Sequence, residues 1–283
     1  MWAVFALGSA LFAGLTAVLA KVGLRDVDSN LATALRTVVV LAFSWLMVAV
    51  TGVWQPLRTI DGRSLAFLAL SGAATGASWL CYFRALQLGD VSRVAAVDKS
   101  STLLAMLMSV LFLGEALTWT KAAAMALIAV GTGLMLSRPE PGAPRSRGLA
   151  YALGSAVFAA LTAILGKVGI QNVDSTLGTA LRTCVVLAMA WGMAFLTGAH
   201  RGIRSLRPKT WAFLALSGVA TGASWLCYYR ALQDGPASAV VPIDKLSILV
   251  TVGFSRLVFG ERLSAKALTG LGLLTAGTLM TLL

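Results

Sequence analysis

Charged side chains are scarce in this sequence. Asp, Glu, Lys and Arg together supply 12% of its 283 residues, about half of the share found in ordinary soluble domains. Hydrophobic residues supply 58%, and the mean hydropathy is +0.84. This balance excludes a soluble enzyme, a disordered chain, a coiled coil and a disulfide scaffold. We therefore expect an all-α, multi-pass membrane protein with about ten spanning helices of roughly 20 residues each.

Histidine and cysteine are nearly absent as well. The single histidine, His200, lies in a polar loop, and Cys81, Cys184 and Cys227 lie in apolar runs without a CxxC spacing. The sequence contains no GxxxxGK[ST], HExxH or GxSxG motif. These absences argue against an enzyme, a bound cofactor, a metal site and ATP as an energy source.

The 23 basic residues outnumber the 11 acidic residues and give a net charge of +12. Most of them lie in short segments between apolar runs, where basic residues orient a membrane protein. We therefore expect a lipid bilayer as the partner and no nucleic acid. Counted by the positive-inside rule, these charges predict that both termini face outward. The first apolar run lacks the basic segment and cleavage site of a secretory signal, and we expect it to remain as the first helix.

An internal repeat at a constant offset of 146 residues organises the chain. Residues 74–82 (ATGASWLCY) return unchanged as residues 220–228. We predict two halves, residues 1–137 and 147–283, joined by a linker at 138–146 that is rich in proline.

Each half contains five apolar runs of about the length that spans a bilayer. In the first half these runs are 2–20, 31–51, 65–86, 92–113 and 118–137. An odd number of crossings makes the second half enter from the opposite side, so we expect inverted repeats. In that architecture the binding site lies near the membrane midplane, between the halves.

Short motifs in both halves point to a known family: residues 82–86 (YFRAL), 228–232 (YYRAL), 242–246 (PIDKL) and the Gly-Glu pairs at 114–115 and 260–261. In these motifs and its five-run pattern the chain resembles two copies of the EamA domain of the drug/metabolite transporter (DMT) superfamily. The resemblance implies a ten-helix secondary transporter or exporter of small metabolites in a cell membrane, such as the bacterial inner membrane. It also implies that both termini face inward, which conflicts with the charge count. We expect Pro242 to bend or start its helix; the first half has Ala96 there, which leaves a shared break open.

Charged residues inside the apolar runs are the first candidates for a binding site, because each costs about 2.5–3.5 kcal/mol to insert. Three types recur in both halves: Arg36 with Arg182, Asp98 with Asp244, and Lys99 with Lys245. They are interpreted as substrate or proton contacts, as structural ion pairs, or, for the lysines, as side chains that reach the interface. Asp98 and Lys99 are adjacent and are not expected to pair with each other. Arg256 has Val110 as its counterpart and is expected to lie deep in its run, where it needs a partner or a water-filled cavity.

Polar and small residues extend these candidates. Hydroxyl side chains share a helix face with the arginines: Thr33, Thr37, Thr179 and Thr183. They are predicted to line a cavity, or to bond the backbone of their own helix. Glycine pairs in the third run of each half, such as Gly72 and Gly76, are expected to pack helices closely. The aromatic residues that follow, Trp79 and Trp225 among them, are interpreted as an interfacial belt in preference to a cavity wall.

The candidate charges named above are positive on balance, with five cations, Arg36, Lys99, Arg182, Lys245 and Arg256, against the carboxylates of Asp98 and Asp244. Such a cavity favours an anionic or zwitterionic small molecule as the transported substrate. The aspartates leave coupling to protons or to another ion open. Two alternatives are a structural or accessory membrane subunit and a multidrug or cation exporter. An exporter of the small multidrug resistance type would carry a carboxylate in its first helix, and the first run of each half contains none.

Overall fold

The computed structural model describes residues 1–23, 27–55, 57–88, 97, 100–135, 147–259 and 264–282. These residues form α-helices and contain no β-strand. The helices of the first half are α1 (Trp2–Gly23), α2 (Ser29–Thr51), α3 (Gly62–Leu88), α4 (Ser101–Leu113) and α5 (Trp119–Met135). Those of the second half are α6 (Arg147–Gly169), α7 (Ser175–Leu196), α8 (Pro208–Asp234), α9 (Ala237–Asp244), α10 (Ser247–Phe259) and α11 (Ala265–Met280). The predicted linker, Asp98 and Lys99 lie outside the described residues.

Seven helical segments within these residues are long and apolar enough to cross a membrane. They comprise α1, α2, α3, α6, α7 and α8, with a seventh segment, Ala237–Phe254, that runs through α9 into α10. The apolar helices α4 and α5 are shorter, at 13 and 17 residues. The expectation of an all-α, multi-pass membrane protein is therefore confirmed.

Local sequence explains where several helices begin and end. The carboxylate of Asp28 accepts hydrogen bonds from the N–H groups of Asn30 (2.8 Å) and Leu31 (3.2 Å) at the start of α2. Asp174 accepts from the N–H of Thr176 at the equivalent start of α7. Helix α2 ends at Gly52, whose φ of +68° is a left-handed conformation that glycine adopts without strain.

Equivalent residues of the two halves exchange contacts. Helix α1 packs on α8, and α6 packs on α3. The hydroxyl oxygens of Ser9 and Ser224 lie 3.2 Å apart, and those of Ser78 and Ser155 lie 3.3 Å apart. At the offset of 146 residues, Ser155 is the counterpart of Ser9 and Ser78 is the counterpart of Ser224. The two halves therefore meet as two copies do in an isologous dimer.

The glycines of α3 and α8 allow close packing, as predicted. A Cβ atom at Gly72 would lie 2.8 Å from Cβ of Val185, and one at Gly218 would lie 2.6 Å from Cβ of Val39. These contacts press α3 against α7 and α8 against α2. They also place the backbone carbonyls of Arg182 and Arg36 directly against the two glycine-bearing helices.

The fourth run of the second half is broken. Helix α9 ends at Asp244 and α10 begins at Ser247. Pro242 lacks an N–H group and its ring crowds the preceding turn, and a tight turn follows in which the N–H of Lys245 bonds the carbonyl of Pro242 (3.0 Å). Helix α4 begins at the equivalent position, Ser101. A helix therefore starts there in both halves, although the first half has no proline.

Candidate binding cavity

A cavity of about 280 Å³ lies where helices of both halves meet the break after α9. Its volume is close to the lower end of the range for small-molecule pockets. Its wall contains one serine of each pseudo-symmetric contact, Ser78 and Ser224, and four aromatic side chains. The lining residues are Ala13, Ser78, Trp79, Ala159, Thr162, Ala163, Arg182, Ser224, Trp225, Tyr228, Tyr229, Asp244 and Lys245.

Arg182 is the most deeply buried charged side chain of this wall, with 2% of its surface exposed. Its Nε donates a hydrogen bond to the hydroxyl of Ser71 at 3.1 Å, and its Nη2 donates to the hydroxyl of Thr75. Its Nη1 is buried and has no hydrogen-bond partner within the described part of the chain. One edge of the guanidinium is therefore fixed on α3, and one nitrogen is left to donate elsewhere.

Aromatic rings support the charge of Arg182. Its Cζ lies 5.0 Å from the ring centroid of Trp225 and 4.8 Å from that of Tyr229, and such cation–π contacts stabilise a desolvated guanidinium. No described carboxylate lies within ion-pair distance of it. Trp79, Trp225, Tyr228 and Tyr229 line the cavity, so the cavity wall, which the sequence left as the alternative to a belt, holds for these four residues. A belt and a cavity wall share the same local sequence pattern and differ only in tertiary position.

Asp244 lies at the C-terminal end of α9, where the broken helix exposes its side chain to the cavity. Its Oδ1 accepts a hydrogen bond from the hydroxyl of Ser9 at 2.6 Å, and its Oδ2 lies 3.9 Å from Nζ of Lys245. Side chains adjacent in sequence approach each other here because the helix ends between them. For Asp98 and Lys99 the same question falls outside the described residues.

The remaining cations lie elsewhere. Arg36 is the counterpart of Arg182 but does not line the cavity. Its side chain makes no hydrogen bond or ion pair within the described ranges. Ser217, the counterpart of Ser71, has a buried hydroxyl with no hydrogen-bond partner among the described residues. The side chain of Arg256 is exposed in the last turn of α10, so the expectation that it lies deep in its run is wrong. Near a helix end a long side chain can reach the interface.

The predicted threonines do not line the cavity either. Thr37 donates to the carbonyl of Thr33 at 2.7 Å. Thr179 donates to the carbonyl of Ser175, and Thr183 to that of Thr179, at 2.7 and 2.6 Å. These hydroxyls bond their own helices, the alternative that the sequence left open.

Two charged residues outside the predicted site, Glu115 and Lys167, bind the junction between α8 and α9. The carboxylate of Glu115 accepts from the N–H groups of Ala237 (2.6 Å) and Ser238 (3.1 Å), where a helix N-terminus favours negative charge. Lys167 donates to the carbonyls of Leu232 (2.7 Å) and Gly235 (2.5 Å) at the end of α8. The recurrence of the Gly-Glu pair in both halves was the sequence signal that could have indicated a role for Glu115.

Comparisons with known proteins bear on the family and the fold. The model of the EamA-like transporter family matches residues 1–137 and 146–283. A curated protein of Sinorhizobium sp., named "Uncharacterized transporter in cobO 3'region", is 53% identical over 134 residues, which are 47% of this chain and 95% of the relative. That relative is therefore about as long as one half. A solved structure, described only as the crystal structure of a protein, has a TM-score of 0.82 at 18% identity, over 100% of this chain and 98% of its own; it supports the fold.

Proposed function

The chain belongs to the EamA-like transporter family, and from that premise we propose that it is a secondary transporter of a small anionic or zwitterionic metabolite. Alternating access moves the substrate across a cell membrane, with the bacterial inner membrane as the expected location. The transporter needs no enzymatic step and no resident cofactor.

The observation that carries the proposal is the burial of Arg182 without an acidic partner among the residues that the structure describes. An ionised side chain inside a membrane protein is costly unless another group compensates its charge. Here neutral hydroxyls and aromatic rings hold the guanidinium in place, and its Nη1 is left to donate. A carboxylate or similar oxyanion of the substrate supplies the missing acceptor.

Asp244 extends the site to zwitterions and to coupling. Its carboxylate lines the same cavity as Arg182 and can accept from a substrate ammonium group. Alternatively it takes up a proton, which would couple transport to a proton gradient. Arg36, Asp98 and Lys99 are the equivalent residues of the first half, and we propose that they serve the site when it opens to the other side.

A binding experiment followed by transport tests this function. Carboxylates and zwitterions of low molecular mass should raise the melting temperature of the purified protein, because ligands of the folded state stabilise it. The same compounds should be taken up by proteoliposomes that contain the protein. If lipophilic organic cations stabilise the protein and are transported while anions are not, the chain is a cation exporter instead.

We propose further that residues 1–137 and 147–283 are inverted five-helix repeats, giving ten spanning helices. The exchange of equivalent contacts and the half-length relative support this arrangement. Asp61 and Arg207 are equivalent positions, so single cysteines placed there should react with a membrane-impermeant thiol reagent from opposite sides. The background is a variant with Cys81, Cys184 and Cys227 replaced by alanine. Labelling of both sites from one side would contradict the inversion, and the reactive side also tests whether the termini face inward or outward.

A further inference from the structure

The cavity wall contains a second buried polar group without a partner. The hydroxyl of Tyr229 is buried and makes no hydrogen bond within the described part of the chain. The residue is 1% exposed and its ring lies against the guanidinium of Arg182. Because a buried hydroxyl without a partner is destabilising, its retention calls for an explanation.

The neighbouring helix is adapted to this tyrosine. A Cβ atom at Gly166 would lie 2.6 Å from Cε1 of Tyr229 and 3.1 Å from its hydroxyl oxygen, so only glycine fits beside the ring in this position. The equivalent positions of the first half have Ala20 and Phe83. The second half therefore combines a hydroxyl with the space it needs, and the first half has neither residue.

We propose that the hydroxyl of Tyr229 and the Nη1 of Arg182 donate to one oxyanion group of the substrate, and that Tyr229 thereby determines specificity. This inference rests on the proposed function. Both residues line one cavity, and each has a buried donor atom without a hydrogen-bond partner among the described residues. A carboxylate offers two oxygens that accept such bonds. Phe83, the counterpart of Tyr229 in the first half, cannot donate a hydrogen bond. The anionic end of the substrate therefore faces the second half and does not bind in the reversed orientation, toward the first half.

The test compares Tyr229→Phe with the wild-type protein. The probes are a panel of aromatic carboxylates with their neutral amides, such as benzoate and benzamide, with affinity measured by titrating the melting temperature. For carboxylates the dissociation constant should rise about tenfold or more, as expected for a lost hydrogen bond to a charged group. For the amides it should change less than about twofold, since they lack the charge that strengthens the bond. Tyr151→Phe, at an exposed tyrosine outside the cavity, is the matched control.

The melting temperature without ligand separates a binding role from a structural one. Removal of an unpartnered hydroxyl should leave the temperature unchanged or raise it, whereas removal of a structural hydrogen bond would lower it. If wild-type protein and variant prefer carboxylates over amides equally, Tyr229 is not the donor and the anionic site stands. If no carboxylate in the panel binds the wild-type protein, the proposed function fails together with this inference.

Discussion

Replacing Arg182 with glutamine should reduce transport to background while the protein stays folded. The change removes the only charge that the described structure places deep in the cavity wall, and with it the charge-assisted bonds to the substrate. Stability should be retained because Ser71 and Thr75 keep other acceptors: Ser71 donates to the carbonyl of Thr162 (2.8 Å) and Thr75 to that of Ser71 (3.0 Å). Removing a desolvated charge should even raise the melting temperature. Uptake by proteoliposomes and a thermal melt of the same sample measure both effects.

Arg256→Gln is the matched control for this variant. It removes the same charge from an exposed side chain in the last turn of α10, away from the cavity, so transport should remain at the wild-type level. Arg182→Lys keeps the charge but loses the planar fork, and we expect intermediate activity. Normal transport by Arg182→Gln, or by the variant that also carries Arg36→Gln, would contradict the assigned site.

The sequence predicted the elements of the fold well because their causes are local or repeated. The offset of 146 residues made equivalent contacts foreseeable, and glycine pairs in α3 and α8 pack as their spacing indicated. Pro242 predicted the break beside Asp244. Arg182 was a candidate because a charge within an apolar run is costly anywhere in a membrane protein.

The rest of the site depends on tertiary position, which local sequence does not encode. Arg36 and Arg182 have nearly the same neighbours in sequence, yet only Arg182 lines the cavity. The aromatic side chains near the ends of α3 and α8 have the pattern of an interfacial belt, and only the packing of α6 against α3 and α1 against α8 makes them a cavity wall. Threonines beside the arginines donate their hydroxyls to carbonyls one turn back in the same helix. The sequence was compatible with this arrangement and with a cavity wall.

Close contact between the last helices of the two halves leads to the largest expected effect on stability. A Cβ atom at Gly131 in α5 would lie 2.6 Å from the carbonyl oxygen of Gly270 and 2.6 Å from the amide nitrogen of Leu274 in α11. Both are backbone atoms, which cannot move aside without shifting the helix. Gly131→Val should therefore destabilise the protein by on the order of 3 kcal/mol, at the upper end for overpacking.

Gly133→Val provides the control on the same helix. A Cβ atom at Gly133 meets nothing within 4 Å, so this variant bears the same change in helix propensity without the contact. We expect it to melt close to the wild-type temperature in detergent, and Gly131→Val to melt well below it or to aggregate. Similar melting of the two variants would show that α5 and α11 do not approach each other this closely. A Cβ atom at Gly277, the equivalent glycine of the second half, would lie 2.8 Å from the carbonyl oxygen of Ala124. Gly277→Val should therefore reproduce the loss, because pseudo-symmetry places the same small residue on both sides of one helix pair.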